Sequence, residues 1–154
     1  MIQRIQTLLL LVAFLLVMAC LMGPLGTFVN EGLTEARMFN LWLTKADGAH
    51  DLRVAPLFCL LVLSATMQLF AVFMYKHRPT QARLCLLATV PLVLWHLLWA
   101  AYAFAGVAGM GAAAVYHPAW GRCVLPLLSC IFTLWARRRV LADERLVRAA
   151  DRIR

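Results

Sequence analysis

The sequence predicts an all-α membrane protein: four antiparallel transmembrane helices, both termini in the cytoplasm, and a cytoplasmic C-terminal helical tail. Of its 154 residues, 64% are hydrophobic and only 14% are charged, whereas soluble domains are about 45–50% apolar and about 25% charged. The apolar residues fall into four blocks, each near the roughly 20 residues that cross a hydrocarbon core. Residues 1–154 are therefore expected to form a single four-span domain.

The predicted spans cover about residues 5–22, 54–75, 84–104 and 120–136. The first could be a signal peptide, but it is long enough to span and three further spans follow, which favours an uncleaved anchor. The second opens with Pro56 in its first turn, where proline costs little. Pro91 lies inside the third and is expected to kink it. The fourth is short, and the flanking Trp120 and Trp135 extend it between the two interfaces.

The predicted connections are outer loops at 23–53 and 105–119, a cytoplasmic turn at 76–83 and the tail at 137–154. The first loop is the longest polar stretch and contains several glycines and asparagines, which indicate turns. Within it, residues 38–43 alternate loosely enough to form either a short strand or an interfacial turn. We expect a short ordered loop there rather than a separate domain.

Lysine and arginine are distributed unequally between the two sets of connections. With the N-terminus inside, the inner segments hold eleven of these residues and the outer segments hold four. This asymmetry predicts that both termini are cytoplasmic. It also explains the net charge of +8 as flanking charge on spans, so a nucleic-acid partner is not expected, whereas membrane lipids are.

Three cytoplasmic segments carry a family resemblance. They are Met1–Thr7, Tyr75–Arg78 with Gln81–Cys85, and Asp143–Arg154. Together they resemble the domain-of-unknown-function 4293 family of small bacterial four-helix membrane proteins, and the resemblance runs end to end. It implies a four-span protein of the bacterial inner membrane whose chemistry faces the cytoplasm. It implies no activity.

One polar group of residues falls inside the predicted spans. His96 is the only ionisable side chain deep in a span, about 3 Å beyond the midpoint of the third, and Ser64 and Gln68 share a helical face at i,i+4. An intramembrane ionisable residue suggests a proton or small-solute site. The alternative is a neutral histidine that hydrogen-bonds between helices. The spans contain no carboxylate to relay a proton, which favours the structural interpretation.

No cofactor is expected. A haem needs an axial ligand that is often paired, and His96 has no second histidine at its depth. An outer metal site could combine His50, His117, Asp47 and Asp51, but nothing in their spacing requires it, and surface loop residues explain them better.

The five cysteines form no CxxC pair, so neither a zinc site nor a thiol oxidase is indicated. Cys20, Cys59 and Cys123 are all predicted near the outer ends of their helices. A disulfide could form there in an oxidising compartment. Packing as small apolar groups is the favoured interpretation.

Small residues repeat every four positions at Ala101, Ala105 and Gly109. This spacing lets another helix approach closely. The sequence leaves two alternatives open: packing within the same chain, or a homo-oligomer interface.

The cytoplasmic segments contain the remaining candidates for docking a partner or anionic lipid. These are Lys76, Arg78, Arg83, Arg137, Arg138, Arg139, Asp143, Glu144, Arg148, Asp151 and Arg152. The tail lacks glycine and proline and pairs charges at helical spacing, which predicts a helix. Exposed charge pairs alone cannot hold a short helix, so its apolar Leu146 and Ile153 need cover, and its acidic residues are expected to meet the basic turn.

These observations favour a non-enzymatic accessory or scaffold protein that docks a membrane or cytoplasmic protein, or anionic lipid, through its cytoplasmic face. The alternative is a small transporter, channel or proton-conducting protein that uses the polar site around His96. An intramembrane enzyme is disfavoured because no nucleophile–base pair or metal constellation is visible.

Overall fold

The computed structural model describes residues 2–75, 77–107 and 114–153, and the chain is mostly helical. The helices are α1 (Ile2–Leu21), α2 (Ala55–Phe73), α3 (Arg78–Ala105), α4 (Trp120–Cys123) and α5 (Leu125–Ile153), with a short 3-10 helix at Leu52–Val54. The strands are β1 (Gly26–Asn30), β2 (Leu33–Met38), β3 (Leu43–Lys45), β4 (His50–Asp51) and β5 (Val115–Pro118).

The four long helices, α1, α2, α3 and α5, pack side by side, and we call them the helical body. α1 and α3 each contact both α2 and α5. One end of this body carries all five strands and is called the sheet end. The opposite end, where α1 and α3 begin and α2 ends, is called the tail end because α5 continues past it.

The prediction of an all-α fold is wrong in one respect, because the two predicted outer loops form a five-stranded antiparallel sheet. Its strand order is β4-β3-β2-β1-β5, so β5, from the second loop, adds to the edge of the first loop's strands. At the junction, Gly26 pairs with Pro118 and Val29 with Val115. A side chain at Gly26 would lie 2.6 Å from the backbone oxygen of His117. Only glycine allows this close approach.

The helix boundaries differ from the predicted spans in two places. α3 begins at Arg78 rather than near residue 84, so most of the predicted turn is helical, with Pro79 in the first turn where it costs little. α3 runs through Pro91, as the predicted third span does. The predicted fourth span is divided between α4 and α5, with Pro126 in the first turn of α5. From there α5 runs without a break through the predicted tail.

The interior of the helical body changes in character along its length. At the sheet end, Trp95, Val17 and Leu61 form a large apolar core with Phe28 of the sheet. At the tail end the apolar core is small and consists of Leu10, Ala71, Cys85 and Ala136. Between and beside these cores lie fully or almost fully buried polar side chains: Gln6, Ser64, Gln68, Gln81, Ser129 and Thr133.

The outward faces of the long helices are apolar instead of polar. Large hydrophobic side chains are exposed on each of them, including Leu15, Phe70, Leu97 and Ile131. Among the described residues, two helical segments, Leu52–Phe73 and Arg78–Ala105, are long and apolar enough to cross a membrane, and only 33% of the most apolar stretch of each is buried. Ile5–Leu21 is a shorter apolar helix.

Candidate functional site

A cluster of four fully buried polar side chains lies inside the helical body. Its centre is Gln68 of α2, whose Nε2 donates to Ser129 Oγ at 2.9 Å and Thr133 Oγ1 at 3.1 Å, and lies 3.5 Å from Ser64 Oγ. Ser64 and Gln68 belong to α2, whereas Ser129 and Thr133 belong to α5. The cluster therefore joins two helices by side-chain bonds across the body.

Each hydroxyl of this cluster in turn donates to a backbone carbonyl. Ser64 Oγ donates to Ala88 O on α3 and Ser129 Oγ donates to Ala13 O on α1, both at 2.8 Å. Thr133 Oγ1 donates to the backbone carbonyl oxygen of Ser129 at 2.8 Å. Because the hydroxyl protons are used in this way, the hydroxyls accept from the Gln68 amide. All four long helices thus meet at the cluster.

The Gln68 carbonyl oxygen has no hydrogen-bond partner within the described residues. A buried acceptor without a partner costs about 1–3 kcal/mol, and its neighbours cannot supply a proton since theirs are committed elsewhere. The cluster is therefore nearly, but not completely, satisfied by the protein itself.

None of the described hydrogen bonds joins His96 to this cluster. Its Nδ1 lies 2.8 Å from Leu92 O of its own helix, its Nε2 is buried without a partner, and its ring meets Trp95 edge-on. Ala88, which Ser64 contacts, lies eight residues earlier, or about 12 Å along the helix axis. The polar site is therefore centred on Gln68 and displaced toward the tail end. Ser129 and Thr133 were missed, although their i,i+4 spacing in the fourth apolar block was a usable signal.

At the tail end, one ion pair among the described residues joins the tail to the predicted basic turn, as expected. Arg78 Nε lies 3.2 Å from Asp143 Oδ2, and Arg148 pairs with Glu144 at i,i+4. Among the other predicted residues, Arg83, Arg138 and Arg139 are exposed. Lys76 and the side chains of Asp151 and Arg152 lie outside the described residues.

The apolar side of the tail is open. Leu146 is 62% exposed and Val147 41% exposed, while Val140, two turns earlier, is fully buried. Burial therefore ends where α5 leaves the helical body, and the last turns present apolar side chains that the described chain does not cover. Ile153, the other apolar residue predicted to need cover, is helical, and its side chain lies outside the described residues.

Asn40 joins the sheet to the helical body, a role that sequence reasoning did not find. Its Nδ2 donates to Cys20 O at 2.9 Å, and its Oδ1 accepts from Trp95 Nε1 at 3.0 Å. Its backbone oxygen accepts from Phe58 N at 3.1 Å. One residue of the long connection thus binds α1, α2 and α3. The sequence signalled only a turn at this position.

A second such junction involves Tyr116 of β5. Its hydroxyl accepts from Trp99 Nε1 at 3.1 Å and donates to Leu25 O at 3.0 Å. Burial raises the pKa of the Tyr116 phenol above its ordinary value of 10.0, against the smaller lowering by the Trp99 hydrogen bond. The phenol therefore stays protonated and keeps donating at neutral pH.

The structure does not bring together the four residues that were considered for an outer metal site. His50 lies in β4 and His117 in β5, the two opposite edges of the sheet. Four strand spacings of about 4.8 Å separate these edges by about 19 Å. Asp51 instead pairs with Lys45 at 3.8 Å and Arg53 at 3.5 Å.

Two other predicted features can be placed. Cys20, Cys59 and Cys123 are free thiols, and only Cys59 is exposed. The small-residue repeat does not continue along one helix, because α3 ends at Ala105. Ala101 and Ala105 are exposed, and Gly109 lies outside the described residues, so a homo-oligomer contact there stays a prediction.

Comparison with known families now adds to this geometry. The sequence matches the family described as domain of unknown function 4293 over residues 2–153, nearly the whole chain. The chain belongs to this family. Membership in the 4293 family confirms the resemblance found in three segments of the sequence, and the family's description assigns no activity. No curated protein matches the chain.

Proposed function

We propose that this 4293-family protein is a multi-pass protein of the bacterial inner membrane. In this proposal the four long helices cross the bilayer as a four-helix bundle, the sheet lies outside and both termini are cytoplasmic. We further propose that it is a non-enzymatic accessory subunit that docks a partner protein through the cytoplasmic end of α5.

The distribution of charge supports the membrane location. Residues 5–22, 54–75, 84–105 and 123–136 contain no Asp, Glu, Lys or Arg. Over these segments most polar side chains are buried and the exposed side chains are predominantly large and apolar, the pattern expected when lipid rather than water surrounds the helices. The basic residues favour the tail end by eleven to four, which supports a cytoplasmic tail end.

The observation that supports docking is the projection of α5 beyond the rest of the helical body. α5 has 29 residues, or about 43 Å of helix. The ion pair with Asp143 lies at the first residue of α3, so residues 144–153 continue for about 15 Å past it. Leu146 and Val147 are exposed on this projecting helix.

This direction favours a protein partner over the lipid surface. A helix that binds lipid headgroups lies in the plane of the interface with its apolar face inward. The projecting turns instead continue the axis of a proposed span, which carries Leu146 away from the acyl chains. An amphipathic helix of this kind fits an apolar groove on a partner protein.

The topology is tested with reporter fusions after Arg37, Gln81, Gly111 and Arg154. They are expected to report outside, inside, outside and inside. A reversal at any of the four positions would refute the proposed topology.

Docking is tested by purifying full-length protein in mild detergent and identifying co-purifying proteins. We expect Leu146→Ser to lose a specific partner that the unchanged chain retains. Arg148→Ser is the matched control, because residue 148 lies on the opposite side of the helix and takes the same replacement. Retention of every partner by the Leu146 variant, or equal loss in both variants, would contradict docking through this face.

The alternative function, a small transporter, channel or proton-conducting protein, rests on the unpartnered Gln68 oxygen inside the helical body. Its test is proton or solute flux in proteoliposomes. Under the accessory-subunit proposal, Gln68→Leu and His96→Gln leave the membrane leak unchanged, because there is no specific flux to lose. A flux that either variant abolishes would favour transport.

A further inference from the structure

Two buried hydrogen-bond donors at the tail end have no partner. Gln6 Nε2 on α1 and Arg137 Nε on α5 are both buried, and neither makes a hydrogen bond within the described part of the chain. Gln6 is only 3% exposed, so its amide is directed into the helical body. An amide donor buried without a partner costs several kcal/mol in an apolar medium. Both donors are therefore available to an acceptor that the described residues do not provide.

The packing of α1 on α5 places these donors at the same level. The bond from Ser129 Oγ to Ala13 O fixes the pairing of these antiparallel helices. Gln6 lies seven residues before Ala13, two turns away on the same face and about 10 Å nearer the tail end. Arg137 lies eight residues after Ser129, about 12 Å in the same direction. Both side chains thus belong to one layer of the helical body.

The described part of the chain does not balance the charge in this layer. Arg137 is half-buried beside the small apolar core, and none of the ion pairs among the described residues includes it. The nearest carboxylate in sequence, Asp143, is already paired with Arg78. A guanidinium cannot give up its proton. A half-buried guanidinium whose Nε has no acceptor among the described residues is therefore able to bind an anion from outside the chain.

We propose that Gln6 and Arg137 form a binding site for a phosphate group at the tail end of the helical body. The planar guanidinium matches two phosphate oxygens, and the Gln6 amide donates to a third. Gln81 adds an acceptor: its Oε1 is buried without a partner while its Nε2 donates to Ala71 O at 3.0 Å. That oxygen takes a hydroxyl of a phosphate ester.

The position of the site explains why phosphate is the anion. Arg137 is the first residue after the charge-free segment 123–136. Under the proposed topology this is the level of the headgroups in the cytoplasmic leaflet, where lipid phosphates and soluble phosphate esters both have access. This step rests on the proposed membrane location. The site does not depend on tail docking, because neither Gln6 nor Arg137 belongs to the projecting turns.

The test uses the full chain, purified in an uncharged detergent at constant ionic strength. Its thermal unfolding midpoint is followed against three probes: dioctanoyl phosphatidylglycerol, inorganic phosphate, and dioctanoylglycerol as a lipid without phosphate. We expect a saturable rise with phosphatidylglycerol or inorganic phosphate. Arg137→Gln and Gln6→Leu are expected to weaken that binding about tenfold or more, since each removes a hydrogen bond to a charged group.

Arg138→Gln is the matched control, because it removes the same charge from the exposed neighbouring residue and should change binding by less than about twofold. If Arg137→Gln does not fold, Arg137→Lys keeps the charge, removes the planar fork and should bind several-fold more weakly.

The probes also identify the source of the phosphate. A response to phosphatidylglycerol alone assigns the site to a lipid headgroup, and a response to inorganic phosphate as well assigns it to phosphate from solution. The proposal is overturned if the unchanged protein responds to neither, if dioctanoylglycerol acts equally, or if Arg138→Gln loses as much binding as Arg137→Gln. The reporter fusions separately test the membrane location, so a failure of one can be told from a failure of the other.

Discussion

Replacing Asn40 with alanine should destabilise the protein more than an ordinary loop substitution. The change removes the bond to Cys20 O and the acceptor of Trp95 Nε1. Trp95 is fully buried, so its indole N–H would be left without a partner. Each lost bond contributes about 0.5–1.5 kcal/mol, and an orphaned buried donor costs about 1–3 kcal/mol. The expected loss in the free energy of unfolding is therefore about 2–4 kcal/mol.

The assay is equilibrium unfolding in detergent, followed by tryptophan fluorescence because Trp95 reports on the broken contact. Asn30→Ala is the matched control. It removes one partly buried bond, from Asn30 Nδ2 to Glu35 Oε1 at 2.7 Å, and should cost less than about 1 kcal/mol. If Asn40→Ala costs no more than Asn30→Ala, Asn40 does not hold the sheet to the helices.

Three further predictions concern the interior and the sheet. Ser129→Ala removes a bond to α1 and an acceptor of the Gln68 amide, and should lower the free energy of unfolding by about 1–3 kcal/mol. Gly26→Ala forces a new Cβ against the backbone of β5. It should also lower the stability of the fold by about 1–3 kcal/mol, measured by thermal unfolding. The raised pKa of Tyr116 lets the folded state keep a proton that the unfolded state loses above the ordinary phenol pKa of 10.0. The free energy of unfolding should therefore fall as the pH rises above that value. Tyr116→Phe should reduce this fall.

Each of these variants has a control of the same chemistry. Thr66→Ala removes a hydroxyl from an exposed face, where Thr66 donates to the backbone oxygen of Val62 in its own helix, and should change stability by less than about 0.5 kcal/mol. Gly121→Ala places a Cβ in open space and should be neutral or stabilising. Tyr102→Phe should leave the alkaline fall in place. Equal effects in a variant and its control would refute the contact assigned to that variant.

The positions of the helices were accessible to sequence reasoning because the evidence for them is local. Four apolar blocks separated by polar or glycine-containing segments predict four helical segments, and the observed α2, at Ala55–Phe73, falls within the expected 54–75. The continuation of α5 through the tail was also predictable, since no glycine or proline interrupts it. The boundary of α3 was less accessible. Its first turn is polar, and hydropathy alone places the helix start at the first apolar residue.

The sheet could not be predicted from sequence because its strands are two to six residues long and pair across long separations. β5 joins β1 from about ninety residues away, and no periodicity within either segment signals that pairing. The role of Asn40 has the same cause. An asparagine among turn residues looks like any other, and only the fold brings Cys20 and Trp95 to its two amide atoms.

By itself, the amino-acid sequence determined the family, the number and place of the long helices, the helical tail and the unequal distribution of charge. These follow from composition and from contacts between residues near one another in the chain. Only the tertiary structure decided that the polar site centres on Gln68 with Ser129 and Thr133, and that His96 stands apart from it. The pairing of α1 with α5 likewise decided that Gln6 and Arg137 lie at the same level of the helical body. The physical reason is that a buried polar group is defined by its partners, and here those partners come from helices that meet only when the chain folds.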